Sequence, residues 1–171
     1  MNSLLSHEEM VRSWGKKKCL FAPMVKLNLP EFDFVIKKEN GKVFIMDFLR
    51  KKYIVLTPEE WVRQHFIHFL ITSLKYPKAL IKVEGGLNYN RLQKRSDIVV
   101  FDREGKPWMV VECKSPDQKL GQRTLEQASV YNHSLQAKYI GVTNGMIHIC
   151  CAVDWANGKT DVLNEMPEYP V

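Results

Sequence analysis

Residues 97–114 read DIVVFDREGKPWMVVECK, and we expect the rest of the chain to be organised around this stretch. Two runs rich in Val, Ile, Phe and Trp flank residues 102–107, which are a cluster of turn-forming residues. This pattern is typical of a β-hairpin. Both faces of the two strands are apolar, as in strands covered on both sides, so the hairpin is predicted to be central in its sheet.

A turn symmetric about Glu104-Gly105 would set the register of this hairpin. Asp97 would then lie opposite Glu112, Phe101 would face Trp108, and Lys114 would follow Glu112 on the same face. An odd-length loop would instead move Asp97 to the other face.

Two carboxylates that face each other at the end of a buried sheet repel each other and are costly to desolvate. A divalent cation bound between Asp97 and Glu112 would relieve both costs, and we predict a metal site here. Because of this repulsion, Asp97→Asn is expected to leave the metal-free protein at least as stable as wild type. The alternative is that these charged residues simply end an edge strand.

Asp97 followed by Glu112-x-Lys114 resembles the signature of the PD-(D/E)xK nuclease superfamily. More closely, residues 58–145 resemble the amino-terminal nuclease domain of type I restriction enzyme R subunits and small stand-alone relatives. The stretches that carry this resemblance are PEEWVRQ, RSDIVVFD, VVECK, LEQASVY and VTNG. Ser96 stands where the signature has Pro, a position that provides no ligand. The resemblance implies an α/β/α fold and a phosphodiesterase that cleaves nucleic acid, with DNA favoured over RNA.

The resemblance also implies the roles of the central residues. Asp97, Glu112 and the backbone carbonyl of Cys113 would hold Mg²⁺ or Mn²⁺, which prefer such hard oxygen ligands to those of a zinc site. Lys114, beside the cation, would have its pKa lowered and would orient water or stabilise negative charge.

A helix is predicted to begin at Thr57, with Thr57 as N-cap, Pro58 in the first turn and Glu60 in a capping box. Pro77 is expected to end it. Its apolar stripe consists of Val62, Phe66, Phe69, Leu70 and Leu74. In the related nucleases a glutamate on this helix reaches the metal, and either Glu59 or Glu60 matches. The alternative is that both only complement the helix dipole.

A second helix is predicted from Thr124. Gln127 and Tyr131 lie four residues apart on it and are neighbours on its surface. The pair resembles the accessory Gln-x-x-x-Tyr motif that supports the site in some PD-(D/E)xK branches. Two alternatives remain: Thr124 and Gln127 also match a capping box, and Tyr131 matches a core position.

A basic stretch precedes Asp97, and its cations are predicted to contact the nucleic-acid backbone without reading sequence. The residues concerned are Arg91, Lys94 and Arg95. A solvated loop is the alternative.

The composition bounds the class of protein. The 171 residues are 45% hydrophobic and 11% aromatic, which indicates one globular domain rather than disorder. The net charge of +6 suits a polyanionic partner. The four cysteines lack zinc-site spacing, and His65 and His68 have no evident third ligand, so both sets are expected to be structural. No apolar run reaches membrane length and no signal peptide is evident, so a cytoplasmic protein without a membrane partner is expected.

Three segments are predicted: a β-rich extension over residues 1–56 with a hairpin at Asn40-Gly41, a nuclease-like core over 57–163 with a mixed β-sheet flanked by helices, and a surface tail over 164–171. No GxxxxGK[ST] phosphate loop is present, so any motor for restriction would lie on another chain. A homodimer and association with such a motor subunit both remain open. A non-catalytic nucleic-acid-binding module is the alternative function, and a protein-interaction subunit is a third.

Overall fold

The computed structural model describes residues 25–83 and 97–170. Within them the chain forms these helices and strands: β1 (Ile36–Glu39), β2 (Lys42–Asp47), β3 (Lys52–Val55), α1 (Pro58–His68), β4 (Ile81–Val83), β5 (Ile98–Phe101), β6 (Pro107–Cys113), α2 (Gln122–Leu135), β7 (Tyr139–Thr143), β8 (His148–Asp154) and β9 (Lys159–Leu163). A π-helical turn (Phe69–Ser73) follows α1 directly, and a short 3₁₀ turn (Lys78–Leu80) precedes β4.

The strands β1, β2 and β3 form a small antiparallel sheet of their own. Asn40 and Gly41 have φ angles of 50° and 75°, which are the left-handed values that a type I′ turn requires, so the predicted hairpin is confirmed. The sheet buries Ile45 completely, and Trp61 of α1 packs against the same cluster. The extension is therefore attached to the core through the first helix.

The strands β4 to β9 form a second sheet in sequential order, in which only β6 and β7 are parallel. The helix α2 connects those two strands and contacts both. Val62 and Phe66 of α1 share a buried cluster with one face of the sheet, and Ala128 of α2 shares another cluster with Val99 and Val110. The predicted α/β fold, with a mixed sheet between helices, is confirmed. Among the described residues, no helix has the length and hydropathy needed to cross a membrane.

The pairing of β5 with β6 agrees with the predicted register along most of its length. Ile98 lies opposite Val111, as predicted. Phe101, however, lies opposite Pro107 and not opposite Trp108, because the register shifts by one residue at the end of β5. Trp108 consequently packs in the core cluster of Met109 and Val111 and not in the cluster of Phe101.

The turn between these strands explains the shift. The N–H of Asp102 donates to the carbonyl of Lys106 at 2.9 Å, and Gly105 takes a φ of 78° within the loop. This loop has an odd number of residues, which by itself would have moved Asp97 away from the face of Glu112. The bulge adds one residue to β6 and restores the predicted relation of Asp97 to Glu112.

The first helix begins as predicted and ends differently. Thr57 is the N-cap and accepts a hydrogen bond from the N–H of Glu60 at 3.0 Å. The α-helix stops at His68, however, and the predicted continuation toward Pro77 is a π-helical turn, after which Lys75 has a φ of 60°. The apolar stripe still faces the core, with Leu70 fully buried.

The second helix begins two residues earlier than predicted, at Gln122, with Gly121 as N-cap. Thr124 therefore lies inside the first turn, and its predicted capping box with Gln127 is wrong. The predicted core position of Tyr131 is also wrong, because Asn132 is the buried residue there and exchanges two hydrogen bonds with the backbone of Ala137.

The C-terminal tail has no buried residue over 164–170, and some of its side chains pack against the core. The hydroxyl of Tyr76 donates to the carbonyl of Pro167 at 2.5 Å, and that of Tyr169 donates to the carbonyl of Phe101 at 3.0 Å. The ring of Tyr169 lies against Trp108. The two tyrosine hydroxyls thereby tie this segment to the sheet.

His65 and His68 lie in an aromatic cluster at the junction of the extension and α1. His68 stacks on the ring of Phe32, and Phe34 contacts both histidines. Both histidines are buried, which confirms a packing role. Burial, together with the charges of His65 and Lys78, lowers the pKa of His68 to about 4.

We expect His68 to make the fold sensitive to mild acid. An unfolded His takes up a proton near pH 6.5, whereas folded His68 does so only near its pKa of about 4. The free energy of unfolding should therefore fall as the pH drops from about 6.5 to about 4, by up to about 3 kcal/mol from this residue. Urea unfolding at several pH values should show a smaller decline in His68→Phe than in wild type. His133→Phe, at an exposed position, serves as control, and equal declines in both variants would contradict the assignment.

Candidate functional site

Polar side chains from four elements meet at one end of the β5–β6 hairpin. Asp97 lies directly before β5, and Glu112 lies near the end of β6. Lys114 follows β6, α1 contributes Glu59, and α2 contributes Gln127. The fold thus brings together the predicted residues, which are separated by up to 68 positions in the chain.

Asp97 uses both of its carboxylate oxygens in the described structure. Its Oδ2 accepts a hydrogen bond from the backbone N–H of Cys113 at 2.7 Å, across the hairpin. Its Oδ1 accepts from Nη2 of Arg63 on α1 at 2.5 Å. With 13% of its side chain exposed, Asp97 joins the hairpin to the first helix through an almost buried ion pair.

Arg63 was not predicted as a site residue. Its guanidinium also bonds Glu60 through Nη1 and lies 3.3 Å from Glu59. Burial opposes the charge of Arg63, but Asp97 and Glu60 outweigh it and raise its pKa, so the group stays protonated. A signal was present in the sequence, because Arg63 follows Glu60 by three residues and Glu59 by four, the spacing of neighbours on a helix.

Glu112 is held by two donors at one oxygen. Its Oε1 accepts from Nζ of Lys114 at 2.7 Å and from Nε2 of Gln127 at 2.9 Å. Its Oε2 makes no hydrogen bond to any described residue. Nε2 of Gln127 also lies 3.5 Å from the hydroxyl of Tyr131, so the predicted Gln-x-x-x-Tyr pair is adjacent to Glu112.

The pKa of Glu112 is raised. Burial is the main cause, and the negative charges of Asp97 and Glu59 add to it, against the lowering effect of Lys114. A carboxyl with a raised pKa is one whose charged form lacks sufficient stabilisation. The cluster therefore favours an additional cation.

The two glutamates of α1 have different surroundings. Glu60 is 5% exposed, and its oxygens accept from Arg63 and from Nε2 of Gln64 at 2.9 Å. Glu59 is partly exposed, and its pKa is raised by burial and by the charge of Asp97. Of the two, Glu59 is the one whose partly exposed carboxylate can bind a ligand at the site. The carboxylate of Glu60 is buried and already hydrogen-bonded.

The predicted repulsion between Asp97 and Glu112 is partly offset by two cations of the chain. Asp97 and Glu112 do not face each other unpaired, because Arg63 neutralises the first and Lys114 the second. Without a bound cation the pKa of Lys114 is raised: burial opposes its charge, but the hydrogen bond and charge of Glu112, with Glu59 and Asp97, outweigh burial. The predicted lowering of this pKa applies to the site with a cation bound and stays a prediction. The sequence alone did not reveal that a cation from α1 would enter the site.

The donor chemistry of the cluster fits a hard divalent cation. The carboxylates of Asp97, Glu112 and Glu59 are oxygen ligands of the type that Mg²⁺ prefers. In the described part of the chain, however, no three His, Cys, Asp or Glu side chains converge closely enough to hold a metal. Oε2 of Glu112 is available as it stands, whereas Asp97 offers Oδ1 only by exchanging its contact with Arg63. The predicted nucleic-acid contacts Arg91, Lys94 and Arg95 lie outside the described residues.

The model of the type I restriction enzyme R protein N terminus matches residues 58–167. The chain belongs to this family. The matched range begins with α1 and includes every site residue described above, so the family relation covers the whole candidate site.

One similar solved structure is the fragment structure of a putative HsdR subunit of a type I restriction enzyme from Vibrio vulnificus YJ016. It has 30% sequence identity and a TM-score of 0.35, and the match covers 51% of this chain. The match spans only 16% of the HsdR chain. The comparison with curated proteins found no match to this chain.

Asp97→Asn should destabilise the metal-free protein, contrary to the expectation from sequence. The change removes the charge that balances buried Arg63 and weakens the hydrogen bond from Cys113. Loss of a hydrogen bond to a charged partner costs about 2 kcal/mol, which lowers the melting temperature by several degrees in a chain of this size. Melting curves with a chelator present measure this effect.

Asp161→Asn is the matched control, because Asp161 is an exposed acid on β9. If Asp97→Asn has the same melting temperature as the control and wild type, the contacts of Asp97 contribute nothing to the stability of the fold.

Proposed function

We propose that this R-protein N-terminal chain is a metal-dependent endonuclease of the PD-(D/E)xK type, acting on DNA rather than RNA. The observation that carries the proposal is the buried Glu112, bonded by both Lys114 and Gln127, with Asp97 directly before the adjacent strand β5. These residues match the acidic pair, the lysine and the accessory glutamine of the signature. Membership in the R-protein N-terminal family supports the same reading.

Asp97 and Glu112 would hold Mg²⁺ or Mn²⁺, together with the carbonyl of Cys113 and with Glu59 from α1. When bound, the cation would polarise the phosphate and lower the pKa of a water molecule. Phosphodiester hydrolysis also requires stabilisation of the charge that develops on the phosphate oxygens. The remaining roles fall to side chains whose surroundings the structure describes.

Lys114 is suited to electrostatic stabilisation rather than to proton abstraction. Its Nζ donates to Oε1 of Glu112 at 2.7 Å, and a protonated lysine presents a positive charge and no lone pair. Gln127 orients Glu112 by bonding Oε1, which leaves Oε2 for a ligand. Tyr131, next to Gln127, would support this orientation from the helix surface.

The second candidate function is a non-catalytic nucleic-acid-binding module on the same scaffold. It is favoured by the closed arrangement at Asp97, both of whose oxygens already have partners. A module of this kind would bind DNA and show no metal-dependent cleavage. The two functions therefore differ in turnover and not in affinity.

Asp97→Ala, Glu112→Ala and Lys114→Ala should each abolish Mg²⁺-dependent cleavage of plasmid DNA. Because the three residues serve one chemical step, double variants should lose little more than single variants. Cleavage is measured as conversion of supercoiled to nicked or linear plasmid. Lys159→Ala, an exposed cation on β9, is the control and should cleave as wild type does.

A thermal control separates loss of metal binding from loss of the fold. Mn²⁺ at about 100 times its dissociation constant should stabilise wild type by about 2.7 kcal/mol. Glu112→Gln should remain folded and lose most of this response. Cleavage near the wild-type rate in all three alanine variants would refute the nuclease assignment, and DNA binding without any cleavage by wild type would favour the binding module.

The basic stretch before Asp97 generates a separate expectation about binding. Replacing Arg91, Lys94 and Arg95 with Ala should weaken DNA binding to a similar degree for all sequences, because phosphate contacts carry no sequence information. The slope of log affinity against log salt should flatten, since fewer counterions are released. A variant lacking Lys42, Lys52 and Lys159 removes the same charge from exposed positions elsewhere. Equal slopes for the two variants would show that the basic stretch makes no specific contact.

A further inference from the structure

A cavity of about 460 Å³ adjoins the candidate site at the start of α2. It is lined by residues 118–121 of the loop before the helix and by Arg123, Thr124 and Gln127 of the helix itself. Gln127 is the residue that donates to Oε1 of Glu112 at 2.9 Å. The cavity and the carboxylate are therefore separated by a single side chain, and the proposed reaction leaves the cavity unused.

The charged residues that line this cavity are cations. Lys119 and Arg123 both line it, and α2 has no acidic residue in its first turn. Neither cation forms an ion pair with a described residue. Asp117 is close in sequence but does not line the cavity. The lining therefore favours an anion.

Hydrogen-bond donors in the same place lack acceptors. Gly121 is the N-cap of α2 and has no side chain to bond the first amides, so the N–H groups of Gln122 and Arg123 have no acceptor within the helix. Thr124 lines the cavity with only 7% of its surface exposed, and its hydroxyl bonds no described residue. The hydroxyl of Thr124 can therefore donate to an oxygen-rich ligand in the cavity.

We propose that this cavity binds a phosphate group of the nucleic-acid backbone next to the linkage that is cleaved. Free amides at a helix start, a guanidinium and an ammonium are the groups that hold phosphates in proteins. The hydroxyl of Thr124 adds a neutral hydrogen bond. This inference rests on the proposed function, since it makes Gln127 the link between a bound phosphate and the orientation of Glu112.

Binding of the full chain to a short duplex, measured by fluorescence anisotropy with a chelator present, tests the site without turnover. Arg123→Gln should weaken binding about tenfold, the effect of losing one hydrogen bond between charged groups. It should also reduce the salt slope by about 1. Thr124→Val should weaken binding with an unchanged salt slope, because it removes a neutral contact. Lys159→Gln is the charge-matched control, and both cavity variants should melt as wild type does.

A scan of the ligand identifies the occupant. Backbone phosphates are replaced one at a time by uncharged methylphosphonates, and a second duplex pair differs only in a 5′-phosphate or 5′-hydroxyl end. Wild type should bind more weakly when the phosphate at one particular linkage is replaced. Arg123→Gln should lose no further affinity from the replacement at that linkage. Sensitivity confined to the 5′-phosphate would assign the cavity to a strand end. The proposal would be overturned if the loss of affinity from Arg123→Gln added fully to the loss from every phosphate replacement and from removal of the 5′-phosphate.

The phosphate scan tests the cavity, and the cleavage assay tests the nuclease assignment, so either proposal can be refuted without the other. If the coupling of Arg123 to one phosphate is found and no Mg²⁺-dependent cleavage occurs, the phosphate site stands and the nuclease assignment falls. If cleavage occurs and Arg123→Gln binds every duplex as wild type does, the cavity is not a phosphate site and the nuclease assignment stands.

Discussion

The pairing of β5 with β6 is the constraint on which the site depends. A shift of one residue along this pair would turn Asp97 to the face opposite Glu112 and disperse the acidic cluster. The loop at Gly105 has an odd number of residues and by itself produces that shift, and the bulge at Trp108 cancels it. Two local irregularities therefore act together, and neither can be removed alone without moving the carboxylates.

The second constraint is charge. Four carboxylates meet at the end of the hairpin, and Arg63 and Lys114 are the two cations that bond them most closely. Arg50 also approaches Glu60, at 3.8 Å, but it is paired with Asp47 and leaves the balance unchanged. The cluster thus retains two negative charges, the deficit that one divalent cation would neutralise. Burial is the main cause of the raised pKa values of Glu112 and Glu59, and the charge of Asp97 adds to both.

Residues close in sequence were predictable from the sequence, and contacts between distant elements were not. The alternation of apolar residues in the hairpin, the Asn40-Gly41 turn and the N-cap at Thr57 depend on local chemistry, and the structure confirms them. At the bulge, the ring of Trp108 packs against Tyr76 and Tyr169, which are distant from it in sequence. The partner of Asp97 depends on where α1 docks, and no pattern within the strand encodes this. For the same reason Arg63 was missed, although its spacing from Glu59 and Glu60 was visible.

The two helices contribute to the site in the same way from opposite faces of the sheet. Arg63 of α1 bonds Asp97, and Gln127 of α2 bonds Glu112. Buried ion pairs add little net stability, because desolvation offsets their attraction, but loss of one partner leaves a costly uncompensated charge. The Nε of Arg63 is buried and bonds no residue that the structure describes. The effect of this arrangement is to make the position of each carboxylate depend on the docking of one helix, so that the acidic pair is assembled only when both layers are packed.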